Sequence, residues 1–292
     1  MRTRIWLFFF LATPTLAWAQ QIVETGVKLY HTPSATEISV ADIVQLSRKK
    51  QVIVFGEEHN DSLAHVLQNA LYAALLDEYP QVILSMEMFE RDVQLVLNEY
   101  LAGLIRERSF TKESRAWSNY ADYAPLVQLA KSKAQQVIAA NVPGRYASMV
   151  SQKGIGTLKQ LPKAARSYYS LFELPREDDP YRQKFYAAMG EHAHHMGPSI
   201  FHAQLLRDAT MAESIVTTWK KNRKAKILHL TGKFHSDEGL GTVAAVKERK
   251  RGLDILTISC FPSDDFHAPN WEAHRDKADI IVLTDPNQPK TY

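Results

Sequence analysis

Six short runs of β-branched and apolar residues recur along the chain, at residues 52–55, 82–86, 137–140, 226–230, 255–259 and 280–283. Most are apolar throughout and do not alternate, which is the pattern of parallel strands covered on both faces. Between the first two, Leu63, Leu67, Ala70, Leu71, Ala74 and Leu75 recur at spacings of three and four, with Asp61 and Ser62 as candidate N-caps. A strand, a helix and a second strand within about 35 residues make a βαβ unit, so a parallel sheet with right-handed crossovers is predicted.

Helical periodicity returns at residues 92–104 and 123–133, then again at 201–222, where the helix is expected to lead back to the sheet. Residues 145–200 lack a strand pattern and carry Tyr168, Tyr169, Phe172, Phe185 and Tyr186; they are predicted to form a helical insertion with an exposed loop at 175–180. Gly239-Leu240-Gly241 is expected to turn the chain into a helix over 242–250, and the two prolines after Asp285 suggest a loose tail. The expected architecture is α/β: a mostly parallel sheet flanked by helices, built from residues 20–144 and 201–292, with the small helical insertion between them.

In an open parallel sheet, ligands collect at the carboxyl ends of the strands. Polar residues gather there in this chain. The run at 52–55 enters Gly56-Glu57-Glu58-His59-Asn60-Asp61, and the run at 82–86 enters Glu87 and Glu90-Arg91-Asp92. The third ends in Asn141, and the fourth in Thr231-Gly232-Lys233-Phe234-His235-Ser236-Asp237-Glu238. Two Gly-x-x-His turns, each directly after a predicted strand, with Glu87 at a third strand end, place imidazole and carboxylate side by side. Those groups make either a divalent-metal site or an acid/base pair. The alternative is a set of polar loop residues bonded to backbone and water. Gly56 and Gly232 allow either a sharp turn or a close approach to backbone. The helix starting near Ser62 aims its N–H groups at the same place, which favours an anionic ligand group.

The chain has 292 residues and a net charge of +3, so charge points to no nucleic-acid partner. Arg2 and Arg4, the apolar run from Ile5 to Ala12, Pro14 and the small residues of Ala17-Trp18-Ala19 have the anatomy of a cleavable secretory signal peptide over residues 1–19. The expected location is therefore the periplasm, and no cysteine near the cleavage point suggests a lipid anchor. The lone Cys260 lies in an apolar run and is expected to be a buried thiol.

Two further groups carry chemistry. The segment Glu191-His192-Ala193-His194-His195-Met196 offers imidazoles to a metal or haem, or is a solvated loop. Tyrosines concentrate nearby, at Tyr120, Tyr123, Tyr146, Tyr168, Tyr169, Tyr181 and Tyr186, and a tyrosine can hold haem iron. There is no Gly-x-Ser-x-Gly elbow, Cys-x-x-Cys, P-loop or Gly-x-Gly-x-x-Gly.

Gly56-Glu57-Glu58-His59, Leu84-Ser85-Met86-Glu87-Met88-Phe89-Glu90-Arg91, Asn141-Val142-Pro143, the stretch from Ala203 through Gln204, Arg207 and Asp208 to Ala212, and Gly232-x-x-His235 together resemble the ChaN family of haem-binding uptake proteins, within the Tiki/TraB-like superfamily. The resemblance spans residues 45–285. It implies a parallel α/β domain with a helical part, and a role in iron and haem uptake. It further implies haem bound at a homodimer interface with tyrosine on the iron, and delivery from or to an outer-membrane haem receptor or a periplasmic transport component. No local motif chooses the ligand among Tyr120, Tyr123, Tyr146, Tyr168, Tyr169, His194 and His195. Relatives in the wider superfamily imply a competing activity. There His59, Glu87 and His235, with Glu58, would hold a divalent metal ion in a peptidase-like hydrolase.

Overall fold

The computed structural model describes residues 26–190 and 199–292. The six predicted strands are all present and belong to one eight-stranded sheet of order β2-β1-β8-β7-β3-β6-β4-β5. They are β3 (Val52–Glu57), β4 (Val82–Glu90), β5 (Val137–Asn141), β6 (Lys226–Gly232), β7 (Ile255–Pro262) and β8 (Ile280–Thr284), and every pairing among them is parallel. Two strands were not visible in the hydrophobic pattern. β1 (Val27–His31) and β2 (Thr36–Glu37) form an antiparallel edge, β1 pairing with β8. β1 buries only Val27 and Leu29, so its apolar signal is too thin to stand out.

Helices cover both faces. They are α1 (Val40–Leu46), α2 (Ser62–Glu78), α3 (Gln94–Leu101), α4 (Glu107–Glu113), α5 (Tyr120–Ser132), α6 (Gly144–Lys153), α7 (Pro180–Met189), α8 (Ile200–Lys221), α9 (Gly241–Arg249) and the single turn α10 (Trp271–His274). The alternation of side chains along a strand divides the core. Ile53 and Phe55 face α2 and α5, packing with Leu67, Leu71 and Leu126, while Val52 and Val54 face α8 and α9, packing with Ile215, Trp219 and Val246. A sheet apolar on both faces needs both layers, and the sequence supplies them as amphipathic helices. Asp61 caps α2 by accepting from the N–H groups of Leu63 and Ala64 at 3.0 and 3.2 Å.

Between β5 and α8 lie α6, two turns of 3-10 helix and α7. This stretch has a small apolar cluster of its own, with Tyr146, Val150, Leu158 and Tyr169 packed on Ala203 and Leu206 of α8. The tail is not loose. Ser62 Oγ donates to the Pro289 carbonyl at 2.8 Å, Thr291 N–H donates to the Asn60 carbonyl at 3.0 Å, and Asp61 pairs with Lys290 as an antiparallel bridge. Prolines that block regular structure still leave their carbonyls free to accept, which is how Pro289 is held. Among the described residues, no helix is long and apolar enough to cross a membrane.

Candidate functional site

Four neighbouring strands, β3, β6, β4 and β5, end side by side, and their carboxyl ends carry the polar residues. Both glycines of the Gly-x-x-His turns serve close approach rather than an unusual backbone angle. A Cβ on Gly232 would lie 2.8 Å from His59 Nε2, and a Cβ on Gly56 would lie 2.8 Å from the Lys233 Cα. Glycine at each position therefore lets one motif nest against the other.

His59 is oriented through its other nitrogen. Nδ1–H donates to Glu57 Oε1 at 2.9 Å, and Glu57 is itself held by Gln68 Nε2 and the Tyr123 hydroxyl. The His59 carbonyl accepts from His65 Nε2 at 3.1 Å and from Asn119 Nδ2 at 3.2 Å, while Trp117 packs edge-on against the ring. Burial pushes the His59 imidazole pKa down, but the hydrogen bond to Glu57 and the charges of Glu87 and Glu57 outweigh it and raise it. The His59 side chain remains 32% exposed, so solvent and solutes reach it.

Behind it lies a buried charge network. Glu87 Oε2 accepts from Thr231 Oγ1 at 2.6 Å and from the Gly232 N–H at 2.8 Å, and Glu87 Oε1 lies 3.4 Å from His235 Nε2. Asn141 fixes the strand end by donating to the Glu87 carbonyl at 3.1 Å. On its other side His235 Nδ1–H donates to Asp208 Oδ1 at 2.7 Å, and Asp208 also accepts from Thr242 and Tyr181. Burial lowers the His235 pKa, yet the Glu87 and Asp208 carboxylates dominate and raise it to about 10. Burial raises that of Glu87, and the charge of His235 reverses this and holds it well below the usual range. His235 is thus an imidazolium between two carboxylates. A second imidazole, His229, is fully buried, with Nδ1 3.0 Å from Ser85 Oγ and no partner for Nε2 among the described residues. Burial lowers its pKa to about 4, so it is neutral.

Of the expected set, His59, Glu87 and His235 come together at the strand ends, while Glu58 turns outward. Among the described residues, no group of three or more His, Cys, Asp or Glu side chains is arranged to hold a metal ion. His235 carries two carboxylates, His59 turns Nδ1 to Glu57, and Glu58 pairs with Lys233 Nζ at 3.0 Å on the outside. The Glu90-Arg91-Asp92 set is scaffolding. Glu90 and Asp92 bind Arg115, Asp92 also binds Arg145, and Arg91 is held by Glu213, Ser214 and the Thr210 carbonyl.

The tyrosines separate by environment. Burial and then the Glu57 carboxylate raise the Tyr123 pKa, and its hydroxyl donates to Glu57. Burial likewise raises that of Tyr120, whose hydroxyl faces Glu107 at 3.4 Å. Tyr169 is buried and donates to the Leu158 carbonyl at 3.2 Å. Tyr146 is nearly buried, with the Arg145 guanidinium 4.5 Å above its ring and donating to its oxygen at 3.3 Å. Tyr168 is half-buried and its hydroxyl has no hydrogen-bond partner among the described residues. His194 and His195 lie outside the described residues.

Glu57, Gln68, Asp208 and Thr231 complete the site without having been candidate ligands, and Tyr181, one of the tyrosines noted in the sequence, joins it through Asp208. Gln204 also reaches it, donating to Tyr181 Oη at 2.9 Å. Asp208 and Gln204 had a sequence signal, lying in the stretch from Ala203 to Ala212 that carries the family resemblance, but no pattern says which strand end a helix will face.

The solved structure described as cofacial haem binding to ChaN of Campylobacter jejuni matches with a TM-score of 0.66 at 15% identity, covering 89% of this chain and 98% of that one. A succinoglycan biosynthesis protein matches with a TM-score of 0.51 at 12% identity, covering 94% and 98% of the two chains. A Bacillus cereus protein gives 0.50 at 11%, covering 94% and 98%. These likenesses establish the fold. No curated protein sequence matches significantly. The family model for haem-binding uptake proteins of the Tiki superfamily, ChaN, matches residues 43–246, which contain both Gly-x-x-His turns, Glu87 and Asp208, and the chain belongs to that family.

Proposed function

We propose that this protein binds haem for iron uptake in the periplasm, with the macrocycle against the surface of residues 145–169 and Tyr168 facing the iron. The observation that supports this most is the charge of that surface. Residues 143–172 contain Arg145, Lys153, Lys159, Lys163 and Arg166 and no acidic residue. All five cations are exposed; Arg145 is tied to Asp92, while the other four have no ion-pair partner among the described residues. Haem presents a flat apolar face and two propionates. A basic segment carrying tyrosines suits the propionates by charge. Haem bound there would supply an iron that the Tyr168 oxygen would hold. Leu171 and Leu174, 57% and 50% exposed, extend this surface with apolar area that a second copy of the chain would cover. The location rests on the leader-like residues 1–19, which lie outside the described residues. The test is charge reversal. Lys159→Glu, Lys163→Glu and Arg166→Glu together should leave the circular dichroism spectrum intact and weaken haem binding at least about tenfold. Unchanged affinity would remove the haem from this surface.

A second reading has its own observation. His59 is a partly exposed imidazole aligned by a carboxylate, beside a buried carboxylate–imidazolium pair, which is the arrangement of an acid/base site. The hydrolase reading is carried by His59 with Glu57, backed by Glu87 and His235. The donor arrangement does not support its metal-dependent form.

A further inference from the structure

The chain around Tyr168 has little regular structure of its own. A 3-10 helix over Lys163–Tyr168 stops at Tyr169, whose backbone is extended, and no helix or strand follows until α7. A short 3-10 turn running into such a loop is mobile unless it is tied down. Here it is tied on both sides of Tyr168. Before it, the Ser167 carbonyl accepts from Arg91 Nη1 at 3.4 Å. After it, the Ser170 N–H donates to Thr210 Oγ1 at 3.1 Å, and Arg249 Nη2 donates to Ser170 Oγ at 2.9 Å and to the Leu171 carbonyl at 3.0 Å. Between these ties Tyr169 is buried, its hydroxyl donating to the Leu158 carbonyl. The anchors belong to the core. Arg91 directly follows β4 and is locked by Glu213, Ser214 and the Thr210 carbonyl; Thr210 lies in α8, and Arg249 is the last residue of α9.

We infer that Arg249, together with Arg91, is a positioning residue of the haem site: it fastens residues 167–171 so that the Tyr168 oxygen stands in place before haem arrives. The inference rests on the reading that Tyr168 faces the iron. A loop already ordered needs no further ordering on binding, so haem binds more tightly than to the same loop set free. Both hydrogen bonds of the Arg249 guanidinium go to this segment, one to a side chain and one to the backbone. Arg249 therefore acts through Tyr168 and makes no contact with the porphyrin.

The experiment combines amide hydrogen exchange on the haem-free full chain with haem titrations followed by visible absorbance. The proteins are wild type, Arg249→Ala, Arg249→Lys, Tyr168→Phe and the double variant Tyr168→Phe/Arg249→Ala. In haem-free Arg249→Ala the Ser170 amide should exchange faster than in wild type while the circular dichroism spectrum stays the same. That variant should bind haem about tenfold more weakly and lose part of the spectrum of oxygen-ligated ferric iron. Arg249→Lys, whose Nζ can donate to the same two oxygens, should restore both. In the Tyr168→Phe background Arg249→Ala should have no further effect on affinity, because the residue it acts through is already gone. Additive losses in the double variant would overturn the inference and make Arg249 a charge for the propionates. Unchanged exchange and affinity in Arg249→Ala would overturn it as well. Identical haem binding by wild type and Tyr168→Phe would instead sink the Tyr168 reading, and this inference with it.

Discussion

The Glu87 carboxylate and the His235 imidazole face one another at 3.4 Å across the ends of β4 and β6, both of them buried. The pair joins two strands far apart in sequence and is closed by Asp208 from α8. Removing one partner leaves a buried charge without compensation, which typically costs about 3–5 kcal/mol. His235→Gln should therefore lower the urea midpoint strongly near neutral pH. The pKa of His235 is raised to about 10 in the fold against 6.5 outside it, so its stabilisation is full below pH 6.5 and lost as pH climbs towards 10. The difference between wild type and variant should shrink over that alkaline range. A pH-independent difference would show that His235 is not charged.

His229 works in the opposite window. Its pKa is lowered to about 4 by burial, so the fold favours the neutral ring, and stability is lost as pH falls from 6.5 towards 4. A shift of this size corresponds to up to about 3 kcal/mol. His229→Asn should flatten the acid limb of the stability profile between those values. An unchanged limb would place the acid sensitivity elsewhere.

Gly232 should tolerate no side chain without moving His59. A Cβ there would stand 2.8 Å from His59 Nε2, and the ring is held from behind by Glu57. Gly232→Ala should cost about 1–3 kcal/mol and shift the His59 ring resonances in the NMR spectrum. Because the residue has φ −58°, no backbone strain contributes. Unmoved resonances would mean that the two motifs are not nested as described.

The six parallel strands were legible because a strand buried on both faces must be apolar at every position, and that leaves a continuous run. The edge strands were not, since β1 needs only Val27 and Leu29 to face inward. Strand-end logic likewise located His59, Glu87 and His235. It could not show that Glu57, one residue before the candidate Glu58, is the carboxylate that points inward. Successive residues face opposite ways as the strand ends, and register decides which. The sequence also shows which donors lie near one another but not which of them pair with each other, as His235 does with Glu87 and Asp208. The acid-free composition of residues 143–172 was open to view and was overshadowed by the tyrosines it carries.

The two functional readings separate at His59. His59→Gln keeps a polar ring-sized group and should leave the fold and haem affinity unchanged, while abolishing any acid/base hydrolysis of acyl substrates. Loss of haem affinity in this variant would place the haem at the strand ends rather than on the basic surface.

The most direct test of the central claim is a haem titration of wild type and Tyr168→Phe, followed by visible absorbance. The wild type should saturate at stoichiometric haem with the spectrum of a high-spin, oxygen-ligated ferric iron. Tyr168→Phe should lose that spectrum and bind at least about tenfold more weakly. An identical spectrum and affinity in the two proteins would contradict ligation by Tyr168, and no saturable wild-type binding would contradict the haem function itself.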